Sequence, residues 1–236
     1  MAIDKMERLS RLLSTTSGTD KCLMLIQYST LLLSRIDHRT SKVAIGSKGL
    51  PQRFGALSGV ISEARTTIRL LDLVAVVQWW RSLKGSRGSV VSRILDIERL
   101  EVLSMLVYYP LEHIYFLTAK SVLPFSTRIS SKASLYSCRA WATYTFLHLS
   151  YLWHCIRQLN QEEDQYMKQD VEKKDRQKYH EQRAALMNGV MINLAYAPLT
   201  LHWSLSQGLY KSESITALCG IAAAIGQLRA AWKASA

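Results

Sequence analysis

Glu112 and His113 follow Pro110 in an apolar setting and form the best acid–base candidate in the chain. Neighbours in sequence point to different sides of a helix, so a buried, hydrogen-bonded histidine is the simpler account of His113. His148 and His154 stand six positions apart, a spacing that poorly supports two metal ligands on one helical face. Cys22, Cys138, Cys155 and Cys219 are scattered, each in apolar company, with no C-x-x-C. They read as buried thiols in a reducing setting, and neither a zinc site nor a redox pair is indicated. H-E-x-x-H, G-x-S-x-G and P-loop motifs are all missing. Gly46-Ser47-Lys48-Gly49 is too short for a phosphate loop and reads as a turn. Asn188, Asn193, His202 and Arg139 would line a polar path if their segments lie in a membrane, although backbone-bonded positions are the commoner case. The expectation is a protein without catalytic residues, metal ligands or a cofactor.

The elements that must carry these residues are helical. Gly59 to Leu83 organises the reading. Ile61, Ala64, Ile68, Leu71 and Val74 recur at helical spacing, with Glu63, Arg65, Arg69 and Asp72 off that face. Its second half, LVAVVQWW, is nearly all apolar. Such a helix suits a membrane surface, with Arg65 and Arg69 drawn to anionic headgroups; the competing account is a buried helix of a bundle. Residues 1–13 form a short amphipathic helix, and Thr19 is expected to cap the next, with Asp20 in its first turn. Asp37 to Pro51 reads as a loop and Gly85 to Ser89 as a break. Pro110 is expected to kink or interrupt the helix of Ile94 to Lys120 after Tyr109, and Ser121 to Ser134 reads as a linker. Leu135 to Ile156 is long enough for a bilayer span but weakly hydrophobic, so span and core helix both remain open. Gln158 to Arg183 is a solvated charged segment. Leu186 to Leu205, interrupted by Pro198, reads as a broken or interfacial helix. In the last apolar stretch, Glu213 to Trp232, Ala222, Gly226 and Ala230 form a small-residue stripe for helix packing. The fold class is all-α: a membrane-associated bundle with amphipathic N-terminal helices and about two membrane-embedded helices. The expected divisions are 1–134, 135–157, 158–183 and 184–236.

Composition narrows the partners. The chain has 236 residues and a net charge of +12, and residues 1–100 hold 16 Lys and Arg against 8 Asp and Glu. The excess points to anionic lipid or nucleic acid. The basic residues are spread singly, without an aromatic RNA-binding signature, which argues against nucleic acid. A hydrophobic share of 48% is too low for a many-spanning protein. Residues 1–33 do not resemble a secretory signal, and the ending KASA is not the peroxisomal S-K-L tripeptide.

Four blocks in order resemble the peroxin-11 family of peroxisomal membrane proteins. Asp20-Lys21 leads into LMLIQYSTLLL; SEARTTIRLLDLVAVVQ carries Arg65, Arg69 and Leu70; LVYYPLEHIYFL is similar to a stretch of gamma-type members, through Tyr108, Tyr109, Pro110, Glu112 and His113. NLAYAPLTLHW and LCGIAAAIGQLRAAW, with Gly220, resemble the terminal membrane segment. The resemblance implies an integral protein of the peroxisomal membrane that promotes elongation, proliferation and fission. It would do so by inserting amphipathic helices, associating with itself and with related members, and recruiting a dynamin-type GTPase. Ile61, Arg65, Ile68, Arg69, Leu71 and Val74 are the expected lipid-surface residues. The alternatives are a pore for small metabolites and a soluble helical scaffold.

Overall fold

A computed structural model describes residues 4–36, 49–83, 96–167 and 173–235. Residues 37–48 of the expected loop and the expected break at 85–89 lie outside the described residues. Every described regular element is helical: α1 Lys5–Leu13, α2 Thr16–Ile36, α3 Leu50–Ile68, a 3-10 turn Arg69–Leu71, α4 Asp72–Ser82, α5 Ile97–Ala119, α6 Thr127–Met167, α7 Lys173–Ser204 and α8 Glu213–Ala234.

Local chemistry sets several ends. The Asp4 carboxylate accepts from Met6 N at the start of α1, and that of Asp96 accepts from Glu98 N at the start of α5. Each satisfies an amide that has no partner in the first turn. Pro51 sits in the first turn of α3, where its missing N–H costs nothing. Thr19 does not cap α2. The helix opens at Thr16, and the Thr19 hydroxyl reaches back to Leu13 O at 2.8 Å, so the chain turns from α1 into α2 almost without a break.

Neither interior proline stops its helix. α5 runs through Pro110 and α7 through Pro198. A proline removes one backbone bond, and packing of these helices on their neighbours in the bundle holds the flanking turns in line. Leu186 to Ser204 is therefore part of one long helix, not a broken one. The expected linker at 121–134 is already helical from Thr127. The divisions expected at 134/135, 157/158 and 183/184 all fall inside α6 or α7.

The helices close into a ring. α2 packs on α3, α4 on α5, α5 on α6, α6 on α7, α7 on α8, and α8 returns to α2, with α1 laid against α2 and α8. The core is small, centred on Met24, Tyr28, Ala223 and Ala224. Much of the rest of the interior is polar: Gln27, Ser58, Arg65, Glu101, Glu112 and Thr145 are buried. Large apolar side chains such as Leu71, Val74, Val107, Leu194 and Leu218 point outward. An apolar exterior around a hydrogen-bonded polar interior suits lipid rather than water. Among the described residues, α8 and the Arg176–Ser204 part of α7 are long and apolar enough to cross a bilayer. Only 33% of the most apolar window of α8 and 17% of that of α7 are buried by protein, far less than the core helix of a soluble bundle would show. Leu135 to Ile156, inside α6, does not reach the same hydropathy.

Small residues let α8 sit close to two neighbours. A methyl added at Gly220 would overlap the Tyr28 ring of α2, and one at Gly226 would overlap Met191 and Ile192 of α7. The stripe differs from the expected one. Gly226 is buried, but Ala222 and Ala230 are exposed, and the packed small residues are Ala217, Gly220, Ala223 and Ala224. A helix wedged between two partners buries a wider face than a single row spaced by four.

Candidate functional site

Three blocks far apart in sequence meet inside the ring. Arg65 on α3 grips Asp20 on α2 with two bonds, Nε to Oδ1 at 2.8 Å and Nη2 to Oδ2 at 3.2 Å. Its Nη1 donates to Gln27 Oε1 at 2.7 Å. Arg69, four residues on, grips Glu112 on α5 in the same fork geometry, at 2.8 and 3.2 Å. The Tyr108 hydroxyl donates to Glu112 Oε1 at 2.7 Å. The Tyr109 hydroxyl reaches Asp72 Oδ2 at 3.4 Å. His113 Nε2 lies 3.4 Å from Arg69 O. Two bidentate arginines thus tie α2 to α3 and the end of α3 to α5. The planar guanidinium fork matches a carboxylate in a way that a lysine could not.

The cluster borders a cavity of about 420 Å³ within the ring, also lined by Trp141, Tyr196 and Trp203. Trp141 stacks on Trp203 at 5.8 Å and meets Tyr196 edge-on at 5.3 Å. Burial raises the Tyr108 hydroxyl well above its ordinary value, and the neighbouring Glu112 adds to the shift. Burial also raises Tyr109 and the Asp72 carboxyl. Desolvation lowers the Lys21 ammonium, which donates to Ser17 Oγ at 2.9 Å. The two tyrosines therefore remain neutral donors, and Glu112 is held between a guanidinium and a hydroxyl. The Glu112–His113 pair does not act together: the carboxylate faces Arg69 and Tyr108, while the imidazole faces a backbone carbonyl. The arrangement is a polar clasp between helices; it presents no activated nucleophile among the described residues.

The expected lipid-surface residues do not share one face. Ile61 and Arg65 are buried, and Ile68 and Arg69 are partly buried. Leu71 is 77% exposed and Val74 61%. The two parts of the stretch pack on different neighbours: α3 lies on α2, whereas α4, beyond the 3-10 turn at Arg69–Leu71, lies on α5. Both guanidiniums are engaged by carboxylates inside the bundle and are turned away from headgroups. Sequence periodicity gives no sign of this, because the pairs span 45 and 43 positions.

The groups expected to line a polar path are each held locally. Asn188 Nδ2 donates to Gly226 O and Asn193 Nδ2 to Gly189 O, both at 2.9 Å. His202 Nδ1 accepts from Leu209 N at 2.9 Å. Arg139 Nε donates to Ser204 O at 3.2 Å. His148 pairs with the buried Glu101 at 3.2 Å, and His154 stands exposed, so they do not converge.

No curated protein and no solved structure matches the chain at a significant level. The sequence profile of Peroxisomal biogenesis factor 11 (PEX11) matches residues 6–232. The match takes in all three blocks of the clasp and both candidate spans. The chain belongs to the PEX11 family, and is a non-enzymatic peroxin of the peroxisomal membrane that serves peroxisome proliferation and biogenesis.

Proposed function

We propose that this peroxin elongates the membrane by seating apolar side chains of its N-terminal region, 1–134, in one leaflet while the C-terminal region, 184–236, anchors it. The exposed pair Leu71 and Val74, at the end of the 3-10 turn and just beyond it, is the observation that carries the reading. Val77 and Trp80 continue the exposed apolar surface along α4. α1 adds a second amphipathic element, with Met6, Leu9 and Leu13 exposed. Helices lying in one leaflet add area to it and favour curvature. In this reading Arg65 and Arg69 act from within. Their clasp fixes the angle at which α4 leaves α3, and so aims Leu71 and Val74.

The reading extends to partners by the family resemblance: self-association, related family members and a dynamin-type fission GTPase. The Tyr108-Tyr109-Pro110-Leu111-Glu112-His113 stretch favours a gamma-type member. The test is tubulation of anionic liposomes by the full-length protein. Leu71→Glu/Val74→Glu is expected to abolish tubules while leaving the protein in the membrane fraction. Undiminished tubulation would reject α4 as the inserting element.

A further inference from the structure

We infer that the far end of the α7–α8 hairpin is a binding site for one anionic glycerophospholipid, whose phosphate is held by Arg229 and Lys233. The two helices run antiparallel through the short connection at 205–212, and their other ends meet where Ala184, Ala185 and Asn188 face Arg229, Ala230 and Lys233. A cavity of about 440 Å³ opens between them, within the range of small-ligand sites. Its lining has two cations at one rim, alanines on both walls and no acidic residue. Arg229 and Lys233 take part in none of the ion pairs of the described residues. The one polar wall group, Asn188, is occupied with Gly226 O.

Position selects the occupant. α7 and α8 are the candidate spans, so this end of the hairpin lies where hydrocarbon gives way to headgroups. A phosphate at that level meets two unpaired cations, and an acyl chain below it meets alanine. The C-terminal end of α8 also carries excess negative potential, which favours cations there. α1 closes over the same end. Arg8 Nε donates to Trp232 O at 3.0 Å, and its guanidinium lies 4.7 Å from the Trp232 ring centre. A second copy of the chain fits less well, because a symmetric contact would set Arg229 and Lys233 against their own counterparts. A free phosphate would leave the alanine walls unused.

The test is native mass spectrometry of the full-length protein released from bilayers of phosphatidylcholine with a minor fraction of phosphatidylserine. Wild type is expected to retain one phosphatidylserine in preference to phosphatidylcholine. Arg229→Gln/Lys233→Gln should retain about tenfold less, at roughly a few-fold per headgroup charge. Arg229→Lys should keep most of the binding, and Lys211→Gln, at the opposite end of the hairpin, should keep all of it. Ala185→Trp, which fills the exposed wall and leaves both charges, should lose the lipid as well; it carries the test should the double variant fold poorly. Equal retention of phosphatidylserine by the double variant, equal retention of phosphatidylcholine by wild type, displacement by inorganic phosphate, or a dimer in place of the bound lipid would each overturn the site. Retention requires no curvature, so its failure leaves the tubulation reading standing, and the reverse also holds.

Discussion

Two pairs of cations meet opposite fates in this protein. Arg65 and Arg69, near the end of α3, each lie in a fork with a carboxylate of another helix. Arg229 and Lys233, near the end of α8, face a cavity without an acidic group. In sequence both pairs are basic residues four apart at the edge of an apolar stretch. The difference lies in what surrounds them. The first pair sits inside a ring of helices, where an unpaired charge is prohibitive. The second sits at the rim, where an unpaired charge remains solvated and open to a ligand. A basic residue in a membrane protein thus does not announce a lipid contact; the carboxylates within reach decide whether it clasps or binds.

The largest effect should come from breaking the clasp. Asp20→Asn leaves Arg65 buried without its counter-charge and is expected to destabilise the protein by about 3–5 kcal/mol. Tryptophan-detected thermal unfolding in detergent reads this, and Arg229→Gln/Lys233→Gln should stay within about 0.5 kcal/mol of wild type. Similar behaviour of the two variants would erase the distinction. Glu112→Gln, which keeps an acceptor for Tyr108 but removes the charge facing Arg69, should cost about 3 kcal/mol. Gly220→Ala should cost about 2 kcal/mol, because the Tyr28 ring behind it is buried and has little room to withdraw. The smallest effect concerns pH. Burial raises the Asp72 carboxyl, against the opposing pull of Tyr109 and Arg69. Its contribution to stability is therefore full below the unfolded value of about 4 and declines as pH rises through the higher folded value. Asp72→Asn should flatten this part of the melting-temperature profile, above about pH 4. An unchanged slope would remove Asp72 from the titrating groups.

The all-helical class and the helical character of most segments were legible because apolar periodicity is a local property. Thr19 was misplaced as a cap because its hydroxyl has a better partner in Leu13 O, which only the α1–α2 turn brings near. Pro110 and Pro198 read as breaks from local chemistry, whereas the surrounding helices keep the turns in line. The residues of the clasp were visible one by one: Asp20, Arg65, Arg69, Tyr108, Tyr109 and Glu112 all stand in family-like blocks. Their convergence was not, since pairing across more than forty positions leaves no periodic trace. The exposure of Leu71 and Val74 was hidden for a different reason. The change of neighbour, from α2 beside α3 to α5 beside α4, is a tertiary feature that local periodicity does not carry.

The bond between Arg8 and the backbone of Trp232 joins the first described helix to the last. During synthesis α1 leaves the ribosome some two hundred residues before its seat on α8 exists, so it must wait, amphipathic and with α2 as its neighbour, until α8 has been made. Removing the last turn of α8 would free α1 while sparing the clasp. A fluorophore pair on α1 and α8 would then report whether α1 has reached its seat.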